Sequence, residues 1–341
     1  MTAVLRFLSD PWIDAMARAA EGASGPLVDP PLVLQQVVTG HTEGEAAWSI
    51  TLGAGTIVVT HGRADENAGG IYANAAITLD HVAITDNVLF GVDTAGAGLR
   101  GFGPTTIVDS TISGNTARTS SGAFLQGTTI IVRTVISGNT STDWGPTLFL
   151  EDAVTIDAST ISGNTAREVP GIVIQQGSLE VRNSTISGNT ATAQSLNLYG
   201  SAITNSFGST ITVLGSTVTG DGPGWTILTG GTQGMTIAGS IVANGVGPAC
   251  SGPATSGGWN LAGDVSCGLV QVSDHQSVDA LLGPLAANGG TTPTRLPGLG
   301  SLAIDAVPLG TAGLCDGTLA ADQRGVARPQ GGACDIGAVE Q

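Results

Sequence analysis

One phrase recurs through the middle of the chain and decides most of what it can fold into. It reads Ser110-Thr-Ile-Ser-Gly-Asn115-Thr-Ala117, then Thr134-Val-Ile-Ser-Gly-Asn139-Thr-Ser141. It returns as Ser159-Thr-Ile-Ser-Gly-Asn164-Thr-Ala166 and as Ser184-Thr-Ile-Ser-Gly-Asn189-Thr-Ala191. The asparagines are 24, 25 and 25 residues apart. Looser copies end at Asn87, Asp221 and Asn244. A fixed period of this length is the mark of a stacked solenoid. Within it, β-branched alternation and Gly/Asn turns leave no room for a helix. The expected fold is all-β: a single-stranded right-handed parallel β-helix of about nine coils over residues 32–250, one per period of about 25 residues.

The columns give the register. Ile84, Ile112, Ile136, Ile161 and Ile186 each stand three residues before the closing asparagine, and Leu79, Ile107, Ile131, Ile156 and Val181 stand eight before it. Each set predicts a vertical stack inside the coil, one rung every ~4.8 Å. Val82, Ser110, Thr134, Ser159 and Ser184 also point inward by alternation. The glycine before each asparagine suits a turn with positive φ, and the asparagines are placed to hydrogen-bond from coil to coil. That role makes them architecture. The repeat also accounts for Asn139 and Asn183, which head glycosylation sequons. His81 follows Asp80 and so resembles half of a catalytic pair, but it occupies the turn position of Asp109, Arg133, Ala158 and Asn183.

Three segments are expected. Residues 1–31 form an N-terminal helical cap and linker: Asp10 is a good N-cap, Pro11 suits the first helical position, and Trp12, Met16 and Ala20 share a face. Residues 32–249 form the coils, with a degenerate first copy in which His41 takes the asparagine's place. Residues 250–341, where the repeat fades, form a C-terminal cap. All four cysteines, Cys250, Cys267, Cys315 and Cys334, lie there. Four cysteines allow three pairings. Nearest-neighbour pairing closes two short loops, each stabilising by ~3 kcal/mol. Zinc binding would call for close cysteine pairs or nearby histidines, and no metal is expected. Disulfides favour an extracytoplasmic compartment. No signal peptide is visible at the start of this chain, and no apolar run reaches the ~18 residues of a membrane helix. The formal charge of −16 rests on eleven basic residues, all arginine. It argues against nucleic acid and anionic lipid as partners.

A family resemblance enters with the tail. Asp322-Gln-Arg-Gly325, Arg328-Pro-Gln-Gly-Gly332 and Cys334-Asp-Ile-Gly-Ala338-Val-Glu340 resemble the signature of the choice-of-anchor Q proteins. Ala303-Ile-Asp305-Ala306, Leu282-Gly-Pro-Leu285 and Asn288-Gly-Gly290 are similar to further family segments, with Leu302 where the family has proline. The coils are similar to those of the polymorphic outer-membrane proteins. The resemblance covers residues 32–341. It implies a pectin-lyase-like β-helix, bacterial, secreted or displayed on the cell surface, with no established activity.

Two functions compete. β-Helices that cleave acidic polysaccharides use clustered carboxylates, calcium and a basic residue. Asp143, Glu151, Asp152, Asp157, Arg167, Glu168 and Arg182 supply those types, but their columns do not repeat. Calcium enters only with this lyase or hydrolase alternative; no other cofactor is expected. The preferred reading is a non-catalytic, adhesin-like module that binds a polysaccharide or a surface protein, as a monomer. Its expected site is an outward stripe of Phe124, Phe149, Ile174 and Tyr199, beside the inward Ala123, Leu148, Val173 and Leu198, with Trp144 at the edge and Gln126, Glu151, Gln175 and Gln176 as polar neighbours.

Overall fold

The computed structural model describes residues 32–38, 46–53, 56–64, 68–91, 95–143, 145–192, 200–206, 208–222, 224–230, 234–245 and 247–341. The expected helix at 10–21, His41, Trp144, Leu198 and Tyr199 lie outside them. The described residues form a parallel β-solenoid without α-helix, wound from three stacked sheets. None of them belongs to a helix long and apolar enough to cross a membrane.

Each coil follows one path. A strand of the recurrent phrase, such as Thr111–Ser113, pairs in register with Val135–Ser137, then Thr160–Ser162, then Thr185–Ser187. A short strand follows in a second sheet, as in Thr116–Ala117 over Thr140–Ser141. The third sheet is bent: Ala123–Leu125 and Thr129–Val132 are two arms that merge in the next coil into the continuous strand Leu148–Asp157. The chain then turns back into the phrase sheet. That corner carries a positive φ in coil after coil: His81 54°, Asp109 47°, Arg133 46°, Ala158 48°, Asn183 43°, then Gly215 51° and Gly239 55°. A non-glycine residue is strained there by ~1 kcal/mol, which the strands on both sides over-determine. His81 is thus a corner residue.

The core is the predicted one. Ile84, Ile112, Ile136, Ile161 and Ile186 are at most 1% exposed, as are Ile107, Ile131, Ile156 and Val181. Two polar ladders run beside them. In the first, the Asn115 side-chain oxygen accepts from the backbone N–H and the side-chain amide of Asn87, and Asn139, Asn164 and Asn189 repeat the pattern. In the second, each hydroxyl of Thr134, Ser159, Ser184 and Ser216 accepts from the backbone N–H one coil above. Buried polar atoms are tolerable only when satisfied, and identical neighbours satisfy one another along the stack.

The stack makes about seven turns rather than nine. Two features lower the count. Leu32–Val38, Ala46–Gly53 and Thr56–Thr60 pair antiparallel, so this stretch extends the phrase sheet as a meander instead of winding coils. One coil is also enlarged, with 32 residues separating Ser184 from Ser216.

Strand pairing carries on past Cys250. Thr255–Ser256, Leu261–Ala262 and His275–Gln276 join the sheets, and the Cys250–Cys267 disulfide lies in the solenoid core. Beyond Ala280 the chain returns along the outside of the phrase sheet and clasps it. The clasp has its own core of Ala303, Val307, Leu314, Leu319, Ile336 and the Cys315–Cys334 disulfide, packed on Ile241 and Leu261. Gln323 is its peg: its amide donates to the Thr160 hydroxyl (2.8 Å) and the Thr292 hydroxyl (2.9 Å), and its oxygen accepts from the Thr185 hydroxyl (2.6 Å). Both expected disulfides are formed.

Candidate binding face

The residues singled out for lyase chemistry do not gather. The Asp143 carboxylate stands between Arg118 and Arg167. Glu151 accepts from the Gln126 amide (2.9 Å). Asp152 is exposed at the bend of its strand, and Asp157 pairs with Arg182 (3.0 Å). Glu168 is buried. These groups sit at different corners of the coil, and arginine already faces both Asp143 and Asp157.

One group of three metal-ligand types does converge among the described residues. Asp80, His81 and Asp109 have ligand atoms within 4.8 Å of one another. Both oxygens of Asp109 are already taken by Arg133, at 2.7 Å and 2.6 Å, and this hydrogen-bonded guanidinium holds the Asp109 carboxyl below its ordinary value. His81 bonds Asp80 (2.6 Å). The arrangement is a charge ladder up one corner, with arginine where a cation would compete.

The aromatic stripe is real but differs from the expected column. On the outer face of the bent sheet, Tyr72, Arg100 and Phe124 are in register, and Phe149 follows. The next member is Val173, not Ile174: Phe149 pairs with Val173, while Ile174 pairs with Leu150 and is fully buried. The cause is a bulge. Leu150 pairs with Ile174, but Asp152 pairs with Gly177, so Ile172–Arg182 carries one extra residue that counting from Phe149 cannot see. Phe124 and Phe149 stack with centroids 4.7 Å apart and planes within 5°.

Phe102 and Arg100, missed in the sequence, complete the face. Phe102 follows the strand Leu99–Gly101, in line with Gln126 and Glu151. Its ring lies edge-on to Tyr72 (5.8 Å, 65°) and tilted to Phe124 (6.3 Å, 55°). The Arg100 guanidinium sits 5.1 Å from the Phe102 centroid and 5.5 Å from that of Phe124. Anchoring the count at the Leu99 strand rather than at Phe149 would have found both. Phe124 and Phe149 spend faces on each other, whereas Phe102, 38% exposed, is tilted out of the stack. The clasp contacts lie on the phrase sheet; on the aromatic face Phe102 is exposed, Tyr72, Arg100, Phe124 and Phe149 are half-buried, and Val173 is buried.

Stacked parallel strands, an internal asparagine ladder and in-register aliphatic columns define one architecture. The model of the right handed beta helix region matches residues 69–242. The chain belongs to this family. No curated protein and no solved structure matches the chain. The matched stretch of the β-helix begins just before Tyr72 and takes in the whole aromatic face.

Proposed function

We propose that this β-helix is an extracytoplasmic, non-catalytic module that binds a glycan or a partner surface through the outer face of the bent sheet. The carrying observation is the continuous, at least half-buried strip of Tyr72, Arg100, Phe124 and Phe149 with Phe102 exposed at its centre. Aromatic side chains offer large contact area with little rotamer freedom to lose. The Gln126–Glu151 pair beside them supplies polar partners. Trp144 remains part of the reading by its sequence position, whereas the count that led to Tyr199 fails with Ile174, since the column passes from Val173 to Thr204.

Two further features support an outside location. The disulfides favour an oxidising compartment. The residues that resemble the choice-of-anchor Q signature all serve the clasp: Asp322 caps the backbone of Arg324 and Val326, Gln323 is the peg, and Arg328 pairs with Glu340. We propose membership of that group on the resemblance of these tail segments.

The test is a glycan array read with the wild type and with a Phe124→Ala, Phe149→Ala double variant, both checked for fold by circular dichroism. The expected result is binding by the wild type and its loss in the variant. Equal signals, or release of unsaturated uronates from acidic polysaccharides by the wild type, would refute the reading.

A further inference from the structure

The charges around the aromatic strip bear on what it takes. We infer that, on the binding reading above, the ligand is an uncharged, hydroxyl-rich linear polysaccharide lying along the solenoid axis and not an acidic one. The direction follows from the rings. Tyr72, Phe102, Phe124 and Phe149 follow one another at 5.8, 6.3 and 4.7 Å, roughly one per coil, so a polymer running down the axis meets an aromatic contact at every rung. Phe102 is the key contact, because its tilt and exposure bring it out of the stack.

The charge argument has two parts. The polar rim is acidic: Glu151 accepts from Gln126, and Asp152 is exposed beside it. The whole chain carries −16, and like charges repel across a Debye length of ~8 Å at physiological salt. The cation on the face, Arg100, lies against the faces of Phe102 and Phe124. There it props the rings, a geometry that favours cation–π contact. Glu151 and Asp152 also suit sugar hydroxyls, which donate hydrogen bonds to carboxylates. A uronic-acid polymer would bring carboxylates against both.

The experiment is affinity electrophoresis of the full chain in gels containing soluble neutral β-glucan, neutral galactomannan, or polygalacturonate with and without calcium. The wild type is compared with Phe102→Ala and the more conservative Phe102→Leu. Retardation by a neutral polymer is expected, with affinity lowered about tenfold in Phe102→Ala, the size of one lost ring contact. Phe102→Leu, which keeps apolar bulk at the strand end, controls for folding and should lose binding in the same direction. Retardation by polygalacturonate alone would overturn the ligand class while leaving the binding face standing. If no polymer and no glycan of the array binds the wild type, the binding reading falls and this inference with it.

Discussion

At the scale of single residues, the molecule depends on polar side chains that are satisfied only by copies of themselves. Asn139 accepts two hydrogen bonds from Asn115 and donates to the Ile112 carbonyl and to Asn164, all near 3 Å. Replacing it with alanine removes four buried hydrogen bonds: the Asn115 backbone N–H loses its acceptor, while the Asn115 amide keeps Ile84 and the Asn164 oxygen keeps the backbone N–H of residue 139. A buried orphan costs about 1–3 kcal/mol and a lost hydrogen bond about 1 kcal/mol, so Asn139→Ala is expected to destabilise by about 3 kcal/mol in urea unfolding. The clasp poses the opposite problem. Asp322, Asp335 and Glu340 are buried with two guanidiniums, Arg324 and Arg328, beside them. Burial pushes the Asp335 carboxyl up to about 6, against the N–H groups of Asp305 and Gln341 that favour its charged form, while Glu340 raises it further and Arg328 lowers it. The unfolded value is about 3.9. The folded state therefore binds the proton more tightly, and the stability from Asp335 is complete below the unfolded value and lost as pH rises through about 6. The clasp should resist proteolysis better at mildly acidic pH than at neutral pH. Asp335→Asn should flatten that difference; an unchanged pH profile would exclude Asp335 as its source.

At the scale of elements, what repeats was readable and what does not repeat was hidden. The phrase kept its spacing because nearly every position in it is committed within the coil, to an inward isoleucine, a positive-φ glycine or a ladder asparagine. The aromatic column departs from the count by one residue below Phe149 because the bulge in Ile172–Arg182 breaks the period. That bulge rests on Gly177, at φ +92°, where an added Cβ would stand 2.2 Å from the Asp152 carbonyl. Gly177→Ala should lower stability by about 1–3 kcal/mol, read by thermal melting, whereas Gly163→Ala meets no neighbour and carries only the positive-φ strain. The clasp left no periodic trace, because its contacts join residues as far apart as Gln323 and Ser159 and its partners are never repeated. The tail could be assigned a capping role from its cysteines and family resemblance, but not a face to cover.

At the scale of the whole molecule, a solenoid is a chain of nearest-neighbour interfaces, and its coils can open from either end. The clasp changes this for one half. It touches coils from Ser159 through Thr185 and Thr217 to Gly239, so those coils cannot separate without also losing the peg and the packing on Ile241. The coils of Ile84 and Ile112 lack this tie, since the described clasp contacts begin at Ala158 and Ser159. Hydrogen exchange should therefore be slower at the backbone amides of Ile161, Ile186 and Ile241 than at those of Ile84 and Ile112, although all five residues are equally buried. Removing the peg supplies the control. Gln323→Ala removes the peg's bonds to Thr160 and Thr185, leaving Thr160 only its bond to the Pro293 carbonyl, without touching the inside of any coil. In this variant the protected half should exchange faster and approach the rates of the other coils, while Ile84 and Ile112 keep theirs. A uniform acceleration along the whole stack would mean that the clasp stabilises the fold globally, and no gradient in the wild type would mean that it does not divide the solenoid at all.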